Sequence, residues 1–136
     1  MAFPASALAV LQCSFAETRH NWVARALVLA HEPGAKSAIV ADDIGMYFTG
    51  KPATARISSD DSRRLRFSWK VPKVTDGRGN LVPAMIYRAT LMRSSGRIQV
   101  SAQPLGYSAR FNGRGTCQTV PDAERRAFQK LIEHAR

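Results

Sequence analysis

Two cysteines, Cys13 and Cys117, bracket nearly all of the strand-forming sequence in this chain. A bond between them ties the first strand to the last, so the pairing restricts the fold to one whose ends meet. In the chain-entropy model, closing a loop of roughly 100 residues stabilises a fold by about 4–5 kcal/mol. Such bonds persist in oxidising compartments, and the expectation is an exported domain. The other reading is a pair of buried free thiols in a cytosolic protein. The chain has no C-x-x-C, which argues against a redox motif or a paired zinc knuckle.

The N-terminal residues point the same way. Ala7-Leu8-Ala9 has the small-x-small pattern that signal peptidase accepts, with Pro4 upstream, although a basic n-region and a full apolar h-region are missing. Residues 1–9 therefore read as a truncated signal-peptide remnant, with maturation near Val10. Gln12 before Cys13 is not the small residue a lipobox requires. A length of 136 residues suits one domain with a proper core, and an apolar fraction of 45% is ordinary for a globular chain. No apolar run approaches the roughly 18 residues of a membrane-spanning helix.

Alternation gives the fold class. Leu65, Phe67, Trp69 and Val71 alternate with Arg64, Arg66, Ser68 and Lys70, placing one face of a strand in the core and a basic face outside. The segment 75–80 is rich in residues that accept positive φ and reads as a hairpin loop. Leu81 to Met92 returns, with Pro83 marking an edge or a bulge near its start. Ser94-Ser95-Gly96 turns into a strand from Arg97 to Gln103. Tyr107, Ala109 and Phe111 mark a further strand, and Asn112-Gly113-Arg114-Gly115 loosens the chain before Cys117. In the first half, Trp22 to Ala30 reads as a buried strand, forming a hairpin through Pro33-Gly34 with Ser37 to Ala41. Ile44 to Phe48 and Ala53 to Ser58 complete the series. The expectation is a mainly β, antiparallel domain over residues 10–118, with about seven or eight strands in a barrel or a sandwich.

Residues 119–136 differ in kind. Thr119 and Pro121 suit a helix start, and Ala123, Ala127, Phe128, Leu131, Ile132 and Ala135 form one apolar stripe. A C-terminal α-helix packed on the β domain is expected.

No catalytic constellation stands out. His20, His31 and His134 are read in a loop, a turn and a helix end, without a partner at metal-ligand spacing. Asp42-Asp43 and Asp60-Asp61 are adjacent pairs, and neighbours along a strand point to opposite faces, so neither pair suits a shared site. Asp60-Asp61-Ser62 reads as a turn. Gly113-Arg114-Gly115 lacks the spacing and the lysine of a phosphate loop, and is better explained by a bulge or a close backbone approach beside the disulfide. No cofactor is indicated.

The net charge of +10 calls for an anionic partner or simply reflects composition, with arginine far outnumbering lysine as in a GC-rich genome. Arg64, Arg66 and Lys70 share one strand face. Arg88 and Arg97 would widen it if their strands lie alongside with the same orientation. Stacking on single-stranded nucleic acid needs aromatic side chains on that face, and Phe67 and Trp69 alternate to the other side.

Tyr87-Arg88-Ala89-Thr90-Leu91, Gly96-Arg97, Gly106-Tyr107 and Arg114-Gly115-Thr116-Cys117 together resemble the final hairpin of small exported proteins of α-proteobacteria. The resemblance covers about a quarter of the chain and implies a periplasmic β domain with a terminal disulfide. It transfers no site residue. The expected function is a non-enzymatic periplasmic or secreted binding module, whose Arg64, Arg66, Lys70, Arg88 and Arg97 meet an anionic ligand or an acidic protein. The alternative is a cytoplasmic nucleic-acid-associated accessory or phage protein.

Overall fold

The computed structural model describes residues 9–16, 22–75 and 78–121. In chain order these form β1 (Ala9–Phe15), β2 (Ala26–His31), β3 (Ser37–Asp42), α1 (Asp43–Thr49), β4 (Ala53–Asp60), β5 (Arg64–Thr75), β6 (Leu81–Met92), β7 (Arg97–Pro104) and β8 (Phe111–Thr119). Each strand pairs antiparallel with the next, and β8 pairs with β1, so the sheet is a closed barrel rather than a sandwich. Closure leaves no sheet edge to protect. Cys13 and Cys117 are direct partners across this seam and form a disulfide.

Antiparallel succession puts the connections alternately at two ends. The turn end carries the short links after β2, β4 and β6. The loop end carries α1 and the connections after β1, β5 and β7.

The interior is filled by the alternating side chains that define the strands. Leu27, Leu29, Val40, Leu65, Phe67, Trp69, Met85, Tyr87, Ile98 and Val100 are all buried there. Trp69 stacks between Phe67 and Tyr87, with ring centroids 5.6 and 5.0 Å away. An eight-stranded barrel is just wide enough for side chains to fill. Around Phe15, Leu27, Asp42, Trp69 and Tyr87 the packing leaves no room for a water molecule. Outside the barrel the wall is of two kinds: cations line β4–β8, whereas Val10, Ala30 and Val120, with Val28 and Ile39, form a second apolar cluster on β1–β3.

Several sequence expectations change. Ile44 to Phe48, read as a strand, lies in the helix α1. Asp42 caps its start, Oδ1 accepting from the Gly45 N–H at 2.8 Å, and Gly50 ends it at φ 74°, donating to the Met46 carbonyl. Satisfied termini and the packing of Phe48 against the core outweigh the apolar run's resemblance to a strand. The tract Asn112-Gly113-Arg114-Gly115 is not a loosened loop but the middle of β8, which begins only at Phe111. Thr119, read as a helix cap, is the last residue of β8 and pairs with Leu11. The Val120 N–H then donates to the Val10 carbonyl. Pro121 is exposed and not helical, and the rest of the expected C-terminal helix, residues 122–136, lies outside the described residues, as does His20. His31 is not in a turn but ends β2, buried.

Pro83 marks neither an edge nor a bulge, since the barrel is closed and the β5–β6 register runs through it without a shift. Along β6 both Ala84 and Met85 are buried, so the inward face switches there, and Pro72↔Ala84 and Val74↔Val82 pair while Lys73 adopts φ 54°. A proline cannot donate to the ladder at that point.

Candidate anion-binding face

Strand alternation and barrel register together build the outer face of β4–β8. Leu65, Phe67, Trp69 and Val71 occupy the core side of β5, so Arg64, Arg66, Ser68 and Lys70 fall outside. Tyr87 and Ala89 do the same for Arg88 on β6, and Ile98 for Arg97 on β7. Ser68 is the partner of Arg88, which is the partner of Ser101. In the next row Arg66 pairs with Thr90, Thr90 with Gln99 and Gln99 with Arg114. The five expected cations therefore share one continuous outer surface, with Arg64 half-buried and the others exposed.

Two cations on this surface escaped the sequence reading. Arg56 of β4 pairs with Ser68 and was legible in principle, since Ala55 beside it faces the core. Arg114 was hidden by reading its neighbours as a loop. Within β8 the inward positions are Gly113 and Gly115, which turns Arg114 outward. Both glycines are demanded by close approach. A β-carbon on Gly113 would come within 2.6 Å of Val23 Cγ1, and one on Gly115 would overlap the Ser14 carbonyl oxygen.

Arg88 and Arg114 flank a hollow of about 220 Å³ on the outer wall, completed by Thr90, Gln99, Ser101 and Asn112. Every one of these side chains can donate a hydrogen bond, and the lining includes no carboxylate. Among the described residues, none of Arg56, Arg64, Arg66, Lys70, Arg88, Arg97 and Arg114 is paired with a carboxylate. Unneutralised guanidinium groups beside neutral donors suit a compact anion whose oxygens accept several hydrogen bonds.

Among the described residues, Asp42, Asp60 and Asp61 are engaged elsewhere. A bulge between Ile57 and Ser59 turns Asp60 to the inner side at the turn end. There Asp60 Oδ2 lies 3.6 Å from His31 Nε2 and Oδ1 lies 2.5 Å from an Arg93 guanidinium nitrogen. Arg93, which also donates to the Asp61 carbonyl, ties the end of β4 to the β6–β7 turn, and His31 Nε2 lies beside this pair without a hydrogen bond among the described residues. Asp61 accepts from the Arg63 and Arg64 N–H groups at 2.8 and 2.9 Å, and those backbone donors hold its carboxyl below the usual range. Asp42 and Asp43 are split, Asp42 buried as the α1 cap and Asp43 exposed in its first turn. Burial pushes the Asp42 carboxyl up to about 6. Burial likewise raises the Tyr87 phenol, which stays protonated and donates to the Trp22 carbonyl at 2.7 Å. Among the described residues, no cluster of three His, Cys, Asp or Glu side chains could hold a metal ion.

Fold and surface together define a closed up-and-down β-barrel with a packed core and a cationic outer wall. Compared with known proteins, the chain matches no family model, no curated protein and no solved structure.

Proposed function

We propose that this protein is a non-enzymatic binding module of the periplasm or the extracellular space, whose cationic outer wall takes an anionic ligand or an acidic partner. The observation that carries the reading is the hollow between Arg88 and Arg114, lined by hydrogen-bond donors and free of carboxylates. Arg66, Lys70 and Arg97 surround it and draw an anion in over a longer range. The Cys13–Cys117 bond supports an oxidising compartment. Single-stranded nucleic acid is less well served, because Phe67 and Trp69 face the core and leave the wall without stacking platforms.

The test is titration of the protein with inorganic phosphate, sulfate and a sulfated polysaccharide at two ionic strengths. Binding that weakens with salt, and is lost in an Arg88→Glu, Arg114→Glu variant of unchanged circular dichroism, is the expected result. Binding that persists in the folded variant would overturn the assignment.

A further inference from the structure

The loop end of the barrel gathers large apolar side chains that the core does not take. Tyr47 is 83% exposed, Leu81 62%, Tyr107 58% and Leu105 49%. They come from α1, the start of β6 and the β7–β8 connection, and the barrel topology brings all three to one end. Beside them opens a partly apolar cleft of about 420 Å³ lined by Trp22, Asn80, Val82, Met85, Tyr107 and Phe111. Isolated exposed apolar residues are ordinary, but a cluster bordering a cleft marks a contact surface.

Charge says what kind of surface it meets. Lys51, Lys73 and Arg110 are exposed in the same loops and strand ends. Among the described residues the exposed carboxylates Glu32, Asp60 and Asp61 sit at the opposite end, and Asp43 alone stands among these cations. Aromatic and aliphatic tips ringed by long cationic side chains match the boundary between anionic headgroups and acyl chains. A second copy of this chain fits poorly, since two cationic rings would face each other.

We infer that the loop end docks on the surface of an anionic lipid bilayer, with Leu81, Leu105 and Tyr107 entering the headgroup boundary. The neighbouring cations meet the lipid phosphates, and the Trp22 cleft receives part of an acyl chain. This contact is separate from the Arg88–Arg114 hollow on the barrel wall.

Fluorescence provides the test. The chain has two tryptophans, of which Trp69 is buried in the barrel and Trp22 is half-buried in the cleft. The full chain is mixed with phosphatidylglycerol vesicles carrying brominated acyl chains, which quench an indole only on contact. Quenching is expected with these vesicles, weaker with phosphatidylcholine, and largely lost in Trp22→Phe. In Leu81→Ser, Leu105→Ser, Tyr107→Ser the vesicle affinity is expected to fall roughly tenfold or more, since the apolar contacts are removed. Should that variant not fold, Leu105→Ser alone, in an exposed turn, gives the same readout with a smaller loss. Quenching is retained in Arg88→Glu, Arg114→Glu if the loop end is the docking surface. Vesicle binding without quenching, or binding abolished by the wall variant and untouched by the loop-end variants, would overturn the inference.

Discussion

Gly115 and Ser14 approach so closely across the β1–β8 seam that no β-carbon fits between the glycine and the serine carbonyl oxygen. Backbone cannot step aside as a flexible side chain can. Gly115→Ala is therefore expected to destabilise the barrel by about 3 kcal/mol or more. In Gly113→Ala the obstacle is the Val23 side chain, and a loss of about 1 kcal/mol is expected. Urea denaturation of both variants checks this, and equal losses would contradict the steric account.

The disulfide closes the same seam. Cys117 N–H donates to the Gly96 carbonyl, away from β1, so Cys13 and Cys117 form a pair without hydrogen bonds between them, with Cα atoms 4.0 Å apart. Reduction, or Cys13→Ala with Cys117→Ala, removes the covalent closure and leaves the ladder. A loss of about 2–4 kcal/mol is expected, read as a lower denaturation midpoint in reductant. An unchanged midpoint would mean that strand pairing alone sets the stability.

Asp42 makes stability depend on pH. Its carboxyl titrates at about 6 in the folded chain, above its ordinary value of 3.8. Between these values the folded state holds a proton that the unfolded state has released. Stability therefore falls as pH rises through this window, by about 3 kcal/mol in all, and stays lower above it. Asp42→Asn keeps an oxygen to cap Gly45 and has no charge to bury. Denaturation midpoints at about pH 4.5 and about pH 8 are expected to differ less in Asp42→Asn than in the parent, with the variant the more stable at the higher pH. A parent profile with no such fall would exclude a raised Asp42.

Tyr87 links the aromatic stack to the loop end through its hydroxyl. Tyr87→Phe keeps the stack on Trp69 but leaves the Trp22 carbonyl without that donor. A cost of about 1–2 kcal/mol is expected. The Trp22 emission should shift as its segment loosens, whereas an unshifted spectrum would show that the hydrogen bond does not hold it.

The strands were legible where the pattern was local. Leu65 to Val71 alternates so regularly that β5 follows from period alone, and β6 runs from Leu81 to Met92 as the sequence indicates. The same alternation placed Arg64, Arg66 and Lys70 outside, whereas it took the register of β6, β7 and β8 to bring Arg88 and Arg97 onto that surface. Alternation failed at Ile44 to Phe48, because a short apolar run carries no period of its own and the Asp42 and Gly50 caps decided the matter. It failed again at Gly113 and Gly115, whose missing side chains look like a turn in sequence but mark a close crossing in space.

Alternation and turn chemistry act within a few residues, so the sequence by itself determined where β5, β6 and β7 extend and which side of β5 meets water. Closure of the sheet, the meeting of Cys13 with Cys117 and the placing of Arg114 beside Arg88 depend on register between strands distant in the chain. The same holds for Asp60, which a bulge at Ile57–Ser59 turns toward His31. Register is fixed only when every strand has packed its inner face against all the others, so those relationships belonged to the tertiary structure.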